Sequence, residues 1–266
     1  MSQPSYVSKL REILGGDHVF TDEETLVCYS FDATRYRARP DVVVKPTDTE
    51  QVARVIKLAY EESIPVTPRG AGTGLSGGSI PARGGIVISA ELMNHKPQIH
   101  KEDLYVIVEP GVVTEDLQKH LEAKGLFYPI DPASQAACTI GGNVAECASG
   151  PRGLKYGTTR NYVLGLEVVD PNGKVIRVGA RTVKNVAGYD IARLLVGSEG
   201  TLGFITSVTL KVLPLPPARR LLAATFDDVT KAAEAASAII ENRLLPSVIE
   251  IMDRMTIEAS QSYIGK

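Results

Sequence analysis

Apolar residues change their spacing along the chain, and the changes divide it. Near the start Leu10, Ile13 and Leu14 share one helical face and a second helical stretch runs from Asp22 to Tyr29, so residues 1–38 read as an N-terminal helical segment bracing a main domain. From Pro40 strands and helices alternate. Strands are expected at Val42 to Lys45, Ile64 to Thr67, Ile86 to Ser89 and Tyr105 to Glu109. Between them Val52, Val55, Ile56 and Ala59 fall at helical spacing behind Thr47-Asp48-Thr49-Glu50, which reads as a capping box. A further helix, Thr114 to Lys124, opens on a cap residue and puts Leu117 and Leu121 on its apolar side. After Tyr162 strands dominate. Leu164 to Val169 and Lys174 to Val178 flank an Asn172-Gly173 hairpin signal. In Gly203 to Val212 the residues Phe204, Thr206, Val208 and Leu210 alternate with Ile205, Ser207, Thr209 and Lys211, which predicts a strand half-buried on one face. Leu213-Pro214-Leu215-Pro216-Pro217 stops it and marks a boundary. Beyond it come a strand at Leu221 to Phe226, a helix at Val229 to Glu241, a strand at Ser247 to Met252 and a helix from Arg254, half of a split β-α-β domain whose sheet is left unpaired. The gene product therefore reads as incomplete.

One segment breaks the alternation. Pro68 to Ser79 (PRGAGTGLSGGS) sets glycines beside hydroxyls, a backbone able to wrap a phosphate with its own N–H groups. Gly72, Gly74 and Gly77 satisfy G-x-G-x-x-G, and Glu91 sits near the distance at which a Rossmann acid would bind ribose. That fingerprint must open directly into a helix, yet Gly78-Ser79-Ile80-Pro81-Ala82-Arg83-Gly84-Gly85 follows, where none can start. A loop holding pyrophosphate by backbone donors alone fits better. Two more clusters of glycine and small polar residues, 139–150 and 197–203, can surround the same ligand, and one long dinucleotide would use all three.

Bulk properties narrow the classes. With 266 residues, 44% of them hydrophobic and 23% charged, the chain can bury a full core. A net charge of −2 and a pI near 6.1 provide no basic face for nucleic acid, and no apolar stretch is long enough to insert in a bilayer. Met1-Ser2-Gln3-Pro4 has neither a signal-peptide nor a transit-peptide pattern, so a cytoplasmic location is expected. Cys28, Cys138 and Cys147 lack the spacing of a disulfide frame, zinc site or iron–sulfur cluster, and His18, His95, His100 and His120 lack paired-ligand spacing. No metal site is expected.

In order along the chain, Pro68 to Ser79, Asp131 to Gly150, Pro151 to Gly157 (PRGLKYG), Thr182 to Asp190 (TVKNVAGYD) and Gly197 to Gly203 (GSEGTLG) resemble the FAD-linked oxidases of the vanillyl-alcohol oxidase type, with a PCMH-type FAD-binding domain. The likeness is strongest to the group that contains the glycolate oxidase flavoprotein subunit and the D-lactate dehydrogenases, and it runs from about Pro40 through Pro217. It implies an α+β fold: an FAD-binding domain of two α/β subdomains over residues 39–217, the second built on an antiparallel sheet, followed at 218–266 by the beginning of a truncated, ferredoxin-like substrate or cap domain.

Carried over residue by residue, the resemblance gives the pyrophosphate to Arg69, Gly70, Ala71, Gly72, Thr73, Gly74, Leu75, Ser76 and Gly77, through backbone N–H groups and the Ser76 hydroxyl. Asp131, Ser134, Thr139, Gly141, Gly142 and Asn143 would line the flavin and ribityl region, and Gly200 and Ile205 the adenine end or the back face of the ring. Relatives that attach flavin covalently carry a histidine in the first glycine loop, where this chain has Ala71, so the FAD is expected to be non-covalent. The implied chemistry is oxidation of a small 2-hydroxy acid by hydride transfer to flavin N5. The implied partner is an electron acceptor: an iron–sulfur subunit, an electron-transfer flavoprotein or a cytochrome, through which the protein would reach a membrane, with oligomerisation left open. Neither a catalytic base nor a cationic grip for the substrate carboxylate stands out. Arg152, Lys155, Lys184 and Tyr189 lie in turns near the flavin segments, where hairpin and loop structure with solvated charges explains them better than a contact with substrate or flavin does. The alternative reading is an FAD-binding module or fragment with no independent catalysis, or one chain of a split enzyme.

Overall fold

The computed structural model describes residues 4–265. Met1 to Gln3, on which the reading of the N-terminus rests, lie outside them, as does Lys266. The chain opens with α1 (Tyr6–Leu14), β1 (Val19–Phe20), α2 (Glu23–Cys28), β2 (Val42–Val44), α3 (Thr49–Glu61), β3 (Val66–Arg69) and β4 (Ile86–Ser89). The first sheet has the order β1-β2-β4-β3, parallel except for β1. Val42 to Val44 and Ile86 to Ile88 are fully buried without alternation, as expected of parallel strands covered on both faces. On one face Val42, Val44, Ile86 and Ile88 pack with Val7, Leu10 and Leu14 of α1 and Val52, Val55, Ile56 and Ala59 of α3. On the other, Val43 and Val87 meet Leu26 of α2. The N-terminal helices thus form part of this core.

The second half contains β5 (Gln98–His100), β6 (Tyr105–Val108), α4 (Thr114–Glu122), β7 (Leu126–Phe127), α5 (Ile140–Glu146), α6 (Gly153–Tyr156), β8 (Val163–Val169), β9 (Val175–Gly179), α7 (Ile191–Leu195), β10 (Phe204–Lys211) and β11 (Leu213–Pro214). The second sheet is wholly antiparallel, β5-β6-β10-β8-β9, with β10 at its centre. Its core joins Val106, Val108, Leu166, Val168, Val208 and Leu210 to Leu117 and Leu121 of α4 and Ile140 and Val144 of α5. Val169 and Phe204 reach across into the core of the first sheet, so the two lobes share packing at their seam.

Several local expectations shift. The cap of α3 is Asp48, whose carboxylate accepts from Gln51 N at 2.8 Å, and it is Gln51, not Glu50, that reaches back to Thr47 N. The box motif is therefore displaced by one residue. Thr114 is the first residue of α4 and its cap is Val113, without a side-chain bond. Regular alternation in β10 fails because a bulge lies between Ile205 and Ser207, adding a residue to one strand. Ile205 therefore joins Val208 and Leu210 in the second core while Phe204 turns to the first.

The tail departs most. α8 (Val229–Glu241) and α9 (Arg254–Ile264) form, opened by Asp228 and Asp253, which accept backbone N–H bonds. Leu221 to Phe226 and Ser247 to Met252 are not strands, and neither helix buries a residue. A strand needs a neighbouring edge to satisfy its backbone, and the tail has none among the described residues.

Candidate functional site

β3 ends at Arg69 and the chain turns at once into the glycine loop, which has no helix after it, so the Rossmann alternative falls on the expected ground. Glu91, the would-be ribose acid, pairs with Lys45 at 3.2 Å and accepts from Ser89 at 2.9 Å. Arg69 is buried and lies beneath the loop, its Nη1 donating to the Phe31 carbonyl at 2.7 Å and lying 3.5 Å from that of Ser79. Gly72 bends over it with φ +69°, so close that an added Cβ would stand 2.2 Å from Arg69 Nη2. Only a residue without a side chain permits that approach.

Opposite the loop stands α5. Its two glycines, Gly141 and Gly142, read from sequence as part of a glycine cluster, lie in its first turn, and Gly141 N donates to the Pro110 carbonyl at 2.9 Å. Asn143, buried at its centre, donates to Thr114 Oγ1 at 2.6 Å and so fixes α5 to α4. The third wall is the turn before β10, with Gly200, Gly203, Phe204 and Ile205. The three segments enclose a cleft of about 180 Å³, open on one side.

Fourteen of the seventeen expected residues line this cleft: Arg69, Gly70, Ala71, Gly72, Thr73, Gly74, Ser76, Ser134, Thr139, Gly141, Gly142, Asn143, Gly200 and Ile205. Three do not. Leu75 points into solvent, 79% exposed. Gly77 N already donates to Asp32 Oδ2 at 3.0 Å, so this N–H is not free for a ligand. Asp131 pairs with Arg152 at 3.2 Å, outside the lining; burial raises its carboxyl above the usual range, against the Arg152 backbone N–H and guanidinium, which lower it. Ser76 lines the cleft, but its hydroxyl lies 3.0 Å from both carboxylate oxygens of Glu146.

Sequence reading missed Asp32, Cys138, Glu146, Glu199 and Phe204 in the lining. Glu146 and Glu199 belong to the two later glycine clusters, and only their side-chain type argued against them as neighbours of a phosphate. Asp32 carried no signal, since it comes from the N-terminal segment and closes on Gly77 across 45 residues. Arg152, Lys155, Lys184 and Tyr189 stand outside the lining, Tyr189 being 93% exposed.

Two observations test whether a dinucleotide fits. Thr139 Oγ1 is buried in the lining with no hydrogen-bond partner, a cost that a polar ligand would remove. It also lies 2.5 Å from where a Cβ on Gly70 would be, so the cradle is shaped by the missing side chain. The donor set is backbone N–H and hydroxyl, suited to phosphate and ribityl oxygens.

Comparison with known proteins agrees. Residues 40–179 match the family described as FAD binding domain, and residues 215–266 that described as FAD linked oxidases, C-terminal domain. The chain is 42% identical over 256 residues to the glycolate oxidase subunit GlcD of Bacillus subtilis, covering 96% of this chain and 54% of that protein. It is 39% identical over 271 residues to a D-lactate dehydrogenase of Anaerostipes hadrus, covering 99% and 55%. It thus spans about half the length of the curated relatives it matches. Among solved structures, an alkyldihydroxyacetonephosphate synthase superposes with a TM-score of 0.81 at 24% identity over 93% of this chain and 47% of that one, which shows the fold.

Proposed function

The chain belongs to the FAD binding domain family, and on that premise we propose that it is the FAD-holding part of a flavin-dependent 2-hydroxy-acid dehydrogenase of the glycolate or D-lactate type, handing electrons to a protein partner. The observation that carries this reading is the cleft in which a helix-free glycine loop, α5 and the Gly200 turn converge around the unpartnered Thr139 hydroxyl. When bound, FAD supplies a two-electron acceptor for a carbon bearing a hydroxyl. The chain's own residues position it: the loop from Gly70 to Ser76 through backbone N–H groups, Thr139 through its hydroxyl, and Gly200 and Ile205 as an apolar wall. With Ala71 where covalent relatives carry histidine, attachment is non-covalent. Residues 39–217 make up this unit, braced by 1–38, and 218–266 begin the substrate domain. The glycolate and D-lactate names of the two relatives support a small 2-hydroxy acid as substrate. No helix among the described residues is long and apolar enough to cross a membrane, so we assign any membrane contact to the electron-accepting partner.

A second reading has its own support. Arg69 is the one cation in the described lining, its guanidinium is committed to Phe31 and Ser79, and no histidine lines the cleft. A substrate carboxylate has no free cation there to grip it, which favours an FAD module without independent catalysis, or one chain of a split enzyme. The visible spectrum of the chain reconstituted with FAD, before and after anaerobic glycolate or D-lactate, separates the two. Bleaching by either acid supports dehydrogenation by these residues; bound flavin that stays oxidised supports the module, and absence of bound flavin removes both.

A further inference from the structure

The donors of the cleft suit a diphosphate, but its charge balance opposes one. Against the single cation Arg69, its lining carries Asp32, Glu146 and Glu199. A Cβ on Gly78 would lie 3.4 Å from Glu146 Oε1 and 3.5 Å from Glu199 Oε2, so these two carboxylates stand over the same stretch of loop within about 7 Å of each other. The Glu146 carboxylate also engages the Ser76 hydroxyl at 3.0 Å, a donor that the phosphate would otherwise use. Meanwhile Thr139 Oγ1 waits in the same cleft without a partner, which marks the space as built for a polar ligand and not for carboxylates alone.

Building on the FAD reading, we propose that the chain binds the diphosphate of FAD with Glu146 protonated, so that each cofactor loaded takes up one proton from solvent at the Glu146 carboxyl. A neutral Glu146 removes one like charge, weakens its hold on the Ser76 hydroxyl and adds an O–H donor of its own. The surroundings already favour that form. Burial raises the Glu146 carboxyl above the usual range, the Ser76 hydrogen bond opposes this, and Glu199 and Asp32 add to the rise. A dianion seated beside it would push further in the same direction. The other groups facing Glu146 do not replace it. Asp32 already accepts from Gly77 N, Thr34 N and the Thr34 hydroxyl. From the 3-10 turn Thr159–Asn161 beside α5, Arg160 donates to the Val196 carbonyl at 2.8 Å; burial would raise the Cys147 thiol, but Thr158 Oγ1 at 3.4 Å and Arg160 together hold it below its usual range. β10 offers the cleft Phe204 and Ile205.

Titration calorimetry of the full chain with FAD at pH 6, 7 and 8, each in two buffers of different ionisation enthalpy, counts the protons directly. Wild type should take up close to one proton per FAD where Glu146 is ionised when free and protonated when bound, with Kd weakening about tenfold per pH unit across that window. Glu146→Gln should abolish the uptake, flatten the dependence and bind at pH 8 at least as tightly as wild type, while Glu199→Gln should retain the uptake. A wild-type Kd flat with pH, or an uptake that survives Glu146→Gln, overturns the proposal while leaving the FAD reading intact. Failure of wild type to bind FAD at every pH would instead overturn that reading.

Discussion

Replacing Gly72 by alanine would hold a side chain at φ +69° and set its methyl 2.2 Å from Arg69 Nη2. The left-handed strain and the displaced, buried guanidinium together should cost about 2–3 kcal/mol, a loss of roughly 5–10 °C in melting temperature, with FAD affinity falling in parallel. An unchanged melting curve would mean that the loop does not rest on Arg69. At this scale the sequence was informative about residue type and uninformative about prior commitments. It showed that Gly77 and Ser76 carry donors in a phosphate-type loop. It could not show that Asp32 already uses the first and Glu146 the second, because those contacts span 45 and 70 residues. Asp131 likewise stands outside the lining, and its carboxylate pairs with Arg152, 21 residues away.

Among the elements, helices were legible wherever an apolar stripe met a capping side chain, as in α3, α8 and α9, since both signals are local. Strands were legible where they found neighbours. β8, β9 and β10 formed within a residue of their expected positions, whereas Leu221 to Phe226 and Ser247 to Met252 have strand-like composition without pairing. The bulge in β10 was illegible, because it follows from register against β8 and not from the residues of β10 alone. With no buried residue in either helix and only Ala232, Ala235, Ala236 and Ile239 of α8 partly covered, α8 and α9 draw mainly on propensity and caps, too little to persist at 13 and 11 residues. Hydrogen exchange of the isolated chain should therefore show their amides exchanging at least about a hundredfold faster than those of β8 and β10. Comparable protection would indicate that a surface holds them.

At the scale of the whole molecule the lobes are joined by more than the shared core. Glu167 on β8 accepts from Thr49 Oγ1 of α3 at 2.8 Å, Thr206 Oγ1 of β10 at 3.0 Å and Arg177 Nε of β9 at 2.7 Å. Burial would raise its carboxyl, but these three hydrogen bonds and the Arg177 charge outweigh it and hold the pKa below the usual carboxylate range. A lowered folded pKa contributes stability above the unfolded value and loses it as pH falls through the folded one. Glu167→Gln should therefore lower stability by about 1 kcal/mol at pH 7, mostly through the threonine bonds because Arg177 is exposed, and the difference should shrink toward zero in strong acid. A deficit independent of pH would assign the loss to packing instead. The two-lobed α+β plan was implied by the family resemblance, while periodicity alone showed only that strands dominate after Tyr162 although the second sheet already begins at β5; the seam was not legible, since Glu167, Val169 and Phe204 look like ordinary strand residues until the lobes meet.

The position of β10 bears on how the protein is made. The parallel sheet is complete once Ser89 has been synthesised, but the middle of the antiparallel sheet is supplied by residues 204–211, after four of its five strands. Until β10 leaves the ribosome, β6 and β8 each present an open edge toward the place it will fill, and Gly200, Phe204 and Ile205 are missing from the cleft. Completion of the cleft is thus a late event in biosynthesis, and the interval before it is when the nascent chain is most exposed to pairing with another.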